Sequence, residues 1–424
     1  MNKITDLSTY DIRFPTSQSL DGSDAMNSDP DYSASYLILH TNYNNEGHGL
    51  SFTIGRGNEI CIKAIEAMKP LIVGLEVEWI KNNLGEFWKK ITRDSQLRWI
   101  GPEKGAIHLA TSAIVNAVWD LLAKEEEKPV WQFVSEMSSE KLLSIIDFRY
   151  ITNVISPREA LLILKQLERS KFERIEKLKI EGYPSYSTSA GWLGYSDEKL
   201  KKLCQEIKKL GFNHAKFKVG KNIDDDIRRM KIVREELGND FNIMIDANQV
   251  WEVDEAIDWI KKLSFSKPLF IEEPTSPDDI IGHKIIRENI KPIKVASGEM
   301  CQNRIMFKQF IQENAIDIVQ IDSCRIGGLN EVLGVLLLAT KYGKPVWPHA
   351  GGVGLCEYVQ HIAMIDYLII SCEKDNKRIE YVDHLHEHFI FPCKINDGKY
   401  MAPLEPGFSI EIKSKTLTNF LYLK

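Results

Sequence analysis

The chain has 424 residues, 43% hydrophobic and 27% charged, an ordinary globular composition with material for roughly two or three domains. A formal net charge of -6 gives no basic face for nucleic acid or an anionic membrane. Its 7 cysteines are scattered without a C-x-x-C pair, which argues against a disulfide framework or a zinc site and predicts a reducing, cytoplasmic setting.

The opening MNKITDLSTYDIRF has no apolar run followed by a small-residue cleavage site, so it is not read as a signal peptide. No stretch is read as long and apolar enough to span a bilayer. Ser33–Thr41 alternates like a strand, and after an Asn/Gly turn Gly49–Ile54 reads as its hairpin partner. Helical patterns follow over Glu59–Val73 and Ala106–Lys124, the latter with apolar residues at helical spacing. From about Tyr186 short apolar runs alternate with amphipathic helices: His214–Val219, Phe241–Ala247, Leu269–Glu272, Ile293–Ala296, Ile316–Ile321, Pro345–Trp347 and Tyr367–Ser371. Repeated βα units and a parallel sheet account for this spacing. The period alone does not separate a closed barrel from an open doubly wound sheet. No G-x-G-x-x-G follows the first strand, which counts against nucleotide binding. The expected organisation is an α+β capping domain over residues 1–140, a barrel over 141–377, and a segment 378–424 that returns to the capping domain.

Polar residues close these runs: Lys216 and Lys218, Asp246 and Asn248, Glu272, Glu299, Asp322 and His349. In a β/α barrel the C-terminal strand ends converge on one functional face. Asp246, Glu272 and Glu299 come from successive units, and carboxylates gathered in one cleft repel unless a cation neutralises them. All-oxygen ligation suits Mg²⁺. Each acid alone could equally be a helix cap; the repetition favours the metal. Glu272 is taken as the inward member of Glu272-Glu273-Pro274, with Glu273 outside it. In FKVGK, one of Lys216 and Lys218 is expected to lower the pKa of the other by like-charge repulsion, so that a neutral lysine can take a proton. Asp322 beside His349 would fix the imidazole tautomer and support its charged form.

The K-x-K of AKFKVG, the DAN of IDANQ, the IEEP, the SGE and the paired Asp and His resemble the enolase superfamily, in its mandelate-racemase-like subgroup. The resemblance implies an α/β fold, a modified (β/α)7β barrel of TIM type with an α+β capping domain. It extends over nearly the whole chain to the L-fuconate dehydratase family, through DIRFPTS, DGSDAMNSDPDYSA, FTIGRGNE, LRWIGPEKG, IEEPTSPDDI, PHAGGVGLCE and EYVDHLHEHF. It implies Asp246, Glu272 and Glu299 as Mg²⁺ ligands, Lys218 as base and His349 as acid, with Asp322 and Lys216 in support. It also implies substrate contacts from Lys216, Asn248, Glu299, His349, Ala350, Gly351 and Glu380, with Gly22, Ser23, Asp24 and Tyr32 closing over from the capping domain. The implied reaction, in carbohydrate metabolism, is dehydration of L-fuconate to its 2-keto-3-deoxy acid. The expected partners are a small acid sugar and further copies of the chain in a homo-oligomer, without nucleic acid or membrane.

Three readings stay open beside this one. The chain could dehydrate another acid sugar, racemise or epimerise with the same two bases, or be a barrel kept for binding. His384, His386 and His388 alternate as in a strand, but a structural role is expected for them rather than a transition-metal cluster.

Overall fold

Strands β1 (Ile4–Arg13), β2 (Ser33–Thr41) and β3 (Glu46–Thr53) form an antiparallel sheet in that order. This is a computed structural model, and it describes residues 1–424 other than 102, 167, 169 and 424. Strand β1 escapes sequence reading because its fully buried residues, Ile4, Leu7 and Ile12, do not fall at the strand interval of two. Helices α1 (Asn58–Met68) and α2 (Gly105–Glu125) pack on the sheet. Contact with α2 is close because Gly47 and Gly49 of β3 lack side chains. A Cβ there would lie 2.3 Å from Ala117 O and 2.1 Å from Ala113 O.

Helix α2 corrects one expectation. With 21 residues and a mean hydropathy of 1.4 it is long and apolar enough to cross a membrane, yet 89% of its apolar window is buried inside the protein. A helix apolar all round is also what a domain core requires. Its buried Asp120 accepts hydrogen bonds from His48 N at 2.9 Å and Phe408 N at 2.7 Å, tying the sheet to the C-terminal part of the chain.

The second sheet is the barrel. Strands β4 (Tyr183–Ser187), β5 (His214–Lys218), β6 (Asn242–Asp246), β7 (Phe270–Glu272), β8 (Lys294–Ser297) and β9 (Ile318–Val319) run parallel in sequence order. Helices α3 (Asp197–Lys209), α4 (Ile223–Leu237), α5 (Val253–Leu263), α6 (Ile280–Asn289), α7 (Arg304–Gln312) and α8 (Leu329–Lys341) follow the successive strands. Val346 bridges Val319, and β10 (Ile379–Tyr381) pairs in parallel with β4, which closes the ring.

The closing strand is not where the sequence puts it. The expected strand at Tyr367–Ser371 is instead a π-helical turn, Asp366–Ile370, continuing helix α9 (Leu355–Ile365). Five consecutive buried residues carry no period that separates a strand from a buried helix. Beyond 381 the chain first adds a hairpin at 395–400 antiparallel to β4, and its end then returns to the capping sheet, where Leu421 bridges Ile12 and Arg13 N donates to Phe420 O at 3.0 Å.

The barrel interior holds its own apolar layer, Tyr186, Met244, Phe270, Ala296, Ile318 and Trp347, separate from the main core. Two residues further along the same segments come Thr188, Asp246, Glu272, Gly298, Gln320 and His349. A strand period of 2 keeps each pair on one face, so the apolar floor carries a polar layer above it.

Candidate active site

The polar layer is dense with charge. Lys216 Nζ lies 2.6 Å from Glu272 Oε1, 3.0 Å from Glu380 Oε1 and 3.1 Å from Asp246 Oδ2. Lys218 Nζ donates to Asp246 Oδ2 at 2.6 Å and Asn248 Oδ1 at 2.8 Å. Gln320 Nε2 donates to Glu272 Oε2 at 2.6 Å, Thr188 Oγ1 to Glu380 Oε1 at 2.5 Å, and Ala350 N to Glu380 Oε2 at 2.8 Å. His349 Nδ1 sits 2.9 Å from Asp322 Oδ2, whose other oxygen accepts from Cys324 N and Arg325 N. On the other side His349 Nε2 faces Glu299 Oε2 at 3.3 Å.

Electrostatics divide these groups. Burial opposes the charge on His349, but Glu299, the Asp322 hydrogen bond and Glu380 push its pKa up to about 10, so it is an imidazolium at neutral pH. Glu272 is held well above the glutamate range, first by burial and then by the negative charge of Asp246. Glu273 is raised by burial and by Glu299. Burial also opposes the charge on Asp246, but Lys218 and Lys216 outweigh it and keep Asp246 ionised.

The lysines depart from expectation. Burial and Lys216 both favour neutral Lys218, but the Asp246, Asp24 and Glu299 carboxylates prevail and raise it. Repulsion between the two lysines is therefore the weaker effect here, because each has a carboxylate oxygen 2.6 Å away.

Carboxylate oxygens outnumber their donors. Glu273 Oε1 is buried without a hydrogen-bond donor, and Glu299 Oε2 has only the ion pair with His349 Nε2 at 3.3 Å. Such a surplus fits a hard divalent cation, which takes oxygen ligands. The loops after β6 and β7 are strained as well: Asn248, Gln249 and Glu273 have φ of 46°, 69° and 41°. Each such non-glycine residue costs about 1–3 kcal/mol and persists where its surroundings enforce it.

Above this layer a cavity of about 440 Å³ opens, of a size for a small ligand. Its wall brings together Gly22, Asp24, Tyr32, Lys218, Asn248, Glu299, Asp322, His349 and Gly351, all foreseen from the sequence. Asp246, Glu272, Lys216 and Glu380 lie fully buried in the layer described above, and Ser23 and Ala350 are buried off the cavity wall. The capping loop is tightly built. Gly22 has φ 85°, and a Cβ there would lie 2.4 Å from the Tyr32 ring. Asp24 Oδ1 accepts from Met26 N at 2.8 Å and Asn27 N at 2.6 Å, while Ser23 O accepts from Leu193 N at 2.9 Å, docking the loop on the barrel.

Sequence reasoning missed four members of the site. Thr188 and Gln320 carry the strand-period signal and could have been found. Trp192 and Arg325 line the cavity from loops, where no period points to them. The three alternating histidines are dispersed: His384 packs against Tyr32 and Trp192, His386 pairs with Glu357, and His388 lies between Phe14 and Phe420.

Known proteins resemble the chain over its full length. Residues 28–134 match the model of the mandelate racemase / muconate lactonizing enzyme N-terminal domain, and residues 199–416 match the enolase C-terminal domain-like model. L-galactonate dehydratase of Hypocrea jecorina is 54% identical over 99% of this chain and 94% of that protein. The crystal structure of human mitochondrial enolase superfamily member 1 superposes with a TM-score of 0.98 at 48% identity, covering 99% of this chain and 96% of that one. L-talarate/galactarate dehydratase from Salmonella typhimurium LT2, solved with Mg and L-lyxarohydroxamate, shares the fold with a TM-score of 0.77 at 22% identity, covering 100% of this chain and 93% of that one.

Proposed function

The chain belongs to the mandelate-racemase-like branch of the enolase superfamily, and from that premise we propose that it is a hydro-lyase that dehydrates an acid sugar. One observation carries the reading: Lys218 and His349 reach a single cavity from different arcs of the barrel, with the acid array between them. Asp246, Glu272 and Glu299 are the residues to hold Mg²⁺. Bound there, the ion supplies a Lewis-acid charge for the substrate carboxylate and cancels the negative field that keeps Lys218 protonated.

The residues then divide the work. Neutral Lys218 takes the C2 proton, made acidic by the adjacent carboxylate, while charged Lys216 faces the developing negative charge. His349, an imidazolium held by Asp322, donates its proton to the 3-hydroxyl, which leaves as water. The resulting enol tautomerises to a 2-keto-3-deoxy acid. Asn248, Glu380, Ala350 and Gly351 line or brace the bound acid, and Gly22, Ser23, Asp24 and Tyr32 close over its chain.

The proposed substrates are L-galactonate and L-fuconate. L-fuconate is 6-deoxy-L-galactonate, so the two agree in configuration from C2 to C5 and differ only at the far end. The L-galactonate dehydratase relative supports that stereochemistry. All 7 thiols are free, which supports work in the cytoplasm. The test is a screen of purified protein with Mg²⁺ against an acid-sugar library, scoring 2-keto-3-deoxy products. Both L-galacto-configured acids should turn over. A library in which neither yields product, or in which only the C2 epimer forms, would overturn the reading.

A further inference from the structure

A second group of metal-ligating side chains lies outside the cavity, where the returning C-terminal chain packs on α9. Ligand atoms of Glu357, His386 and Cys393 all lie within 4.8 Å of one another. The His386 ring is held from behind: Nε2 donates to Val382 O at 2.7 Å, and the ring stacks on Tyr381 with centroids 5.3 Å apart and planes 4° from parallel. Its Nδ1 is thereby aimed at Glu357 Oε1, 2.7 Å away, and Cys393 Sγ, 3.6 Å away. An imidazole whose far N–H is tied to a backbone carbonyl is the arrangement that orients metal-binding histidines. The neighbouring Cys356 thiol is turned elsewhere, donating to Ala350 O at 3.7 Å.

We propose that Glu357, His386 and Cys393 form a three-donor structural site for a thiolate-preferring divalent cation, in the first place Zn²⁺. One sulfur, one imidazole nitrogen and one carboxylate are donors of the type that zinc takes, and they leave the fourth tetrahedral position to a water. The acid array of the cavity offers oxygen alone, so the two sites sort ions by donor chemistry. Without the ion, His386 and Glu357 form a buried ion pair. Binding replaces it: the Cys393 thiol and His386 Nδ1 give up protons to solvent and the three donors close on the metal. The result would pin the returning segment to the first turn of α9, directly after the loop that carries His349. Sequence reading passes over the site because Glu357 lies about thirty residues before His386 and Cys393, far from any C-x-x-C spacing.

Cobalt separates this site from the cavity. Full-length protein kept in Mg²⁺ is titrated with Co²⁺ alone, and then with Zn²⁺ as competitor. The expected result is one equivalent of Co²⁺ per chain giving a thiolate-to-cobalt charge-transfer band and the intense visible bands of a tetrahedral site, both displaced by Zn²⁺. Cys393→Ser and His386→Asn should each weaken this binding by more than about 100-fold, since even an outer-shell loss costs about 10–100-fold. Asp246→Asn, which alters only the oxygen array, should leave the band in place. The proposal fails if the wild-type protein shows only the weak bands of oxygen-ligated cobalt, or if both variants keep the charge-transfer band at full affinity.

Discussion

Two clusters of buried charge, made from the same residue types, behave in opposite ways. In one, Arg304 Nη1 donates to Glu331 Oε1 at 2.8 Å and Glu103 Oε2 at 2.9 Å. His108 Nε2 is 2.7 Å from Glu331 Oε2, and Arg149 Nη2 is 2.6 Å from Glu103 Oε1. Burial opposes the charge on Glu331, but His108 and Arg304 outweigh it and bring its pKa down to about 2. This cluster joins α2 of the capping region to α7 and α8 of the barrel, and both of its acids are matched by cations. Beneath the cavity Glu272 and its neighbour Glu273 are instead pushed above their range, and Glu273 Oε1 lacks a donor. A balanced cluster is architecture. An unbalanced one waits for a ligand, and the surrounding fold holds it together.

The largest effects should come from the unbalanced cluster, and on rate. Lys218→Ala should cut turnover by about 10²–10⁴-fold or more and stop exchange of the C2 proton with solvent deuterium. His349→Asn should block elimination to a similar degree while leaving some exchange, because the base remains. Exchange surviving in Lys218→Ala and lost in His349→Asn would reverse the roles of base and acid.

The balanced cluster should answer in stability instead. Glu331→Gln leaves Arg304 and His108 without their shared anion, and should cost about 3–5 kcal/mol in denaturant unfolding with little change in activity per folded molecule. The pH dependence follows from the lowered pKa. The contribution of Glu331 is complete above its unfolded value near 4.5 and is lost as pH falls through about 2. The stability gap between wild type and Glu331→Gln should therefore be flat at neutral pH and close in strong acid. A gap that widened with acid would refute the pairing.

Smaller effects sharpen the contrast. Asp24 organises the capping loop through two backbone N–H groups as well as facing the cavity. Asp24→Ala should shift relative kcat/KM among acid sugars by about 1–3 kcal/mol, the cost of an unpaired buried polar partner. An unchanged substrate profile would confine Asp24 to a loop-building role. Glu272→Gln should be the mildest. Because burial and Asp246 favour the protonated form, the amide is nearly isosteric with it. In chelator it should change stability by no more than about 1.5 kcal/mol, the worth of one hydrogen bond, and activity should still be lost in Mg²⁺. A loss as large as that of Glu331→Gln would erase the distinction between the clusters.

The sequence by itself determined the components that repeat. Strand endings at Lys216 and Lys218, Asp246 and Glu272 were legible because a period of 2 and recurring βα units make position along a strand equivalent to depth in the barrel. Asp322 and His349 were legible because they close the later units of the same repeat. Tertiary structure alone decided what has no period. It set the closing strand at Ile379–Tyr381 rather than in the apolar run at 367–371, because an all-buried segment reads alike as helix or strand. It brought Trp192 and Arg325 to the cavity from loops and dispersed three histidines that look contiguous in sequence. It also set the charge state of Lys218, because a pKa depends on every charge within a few ångströms, and three of those charges, Asp246, Asp24 and Glu299, come from distant parts of the chain.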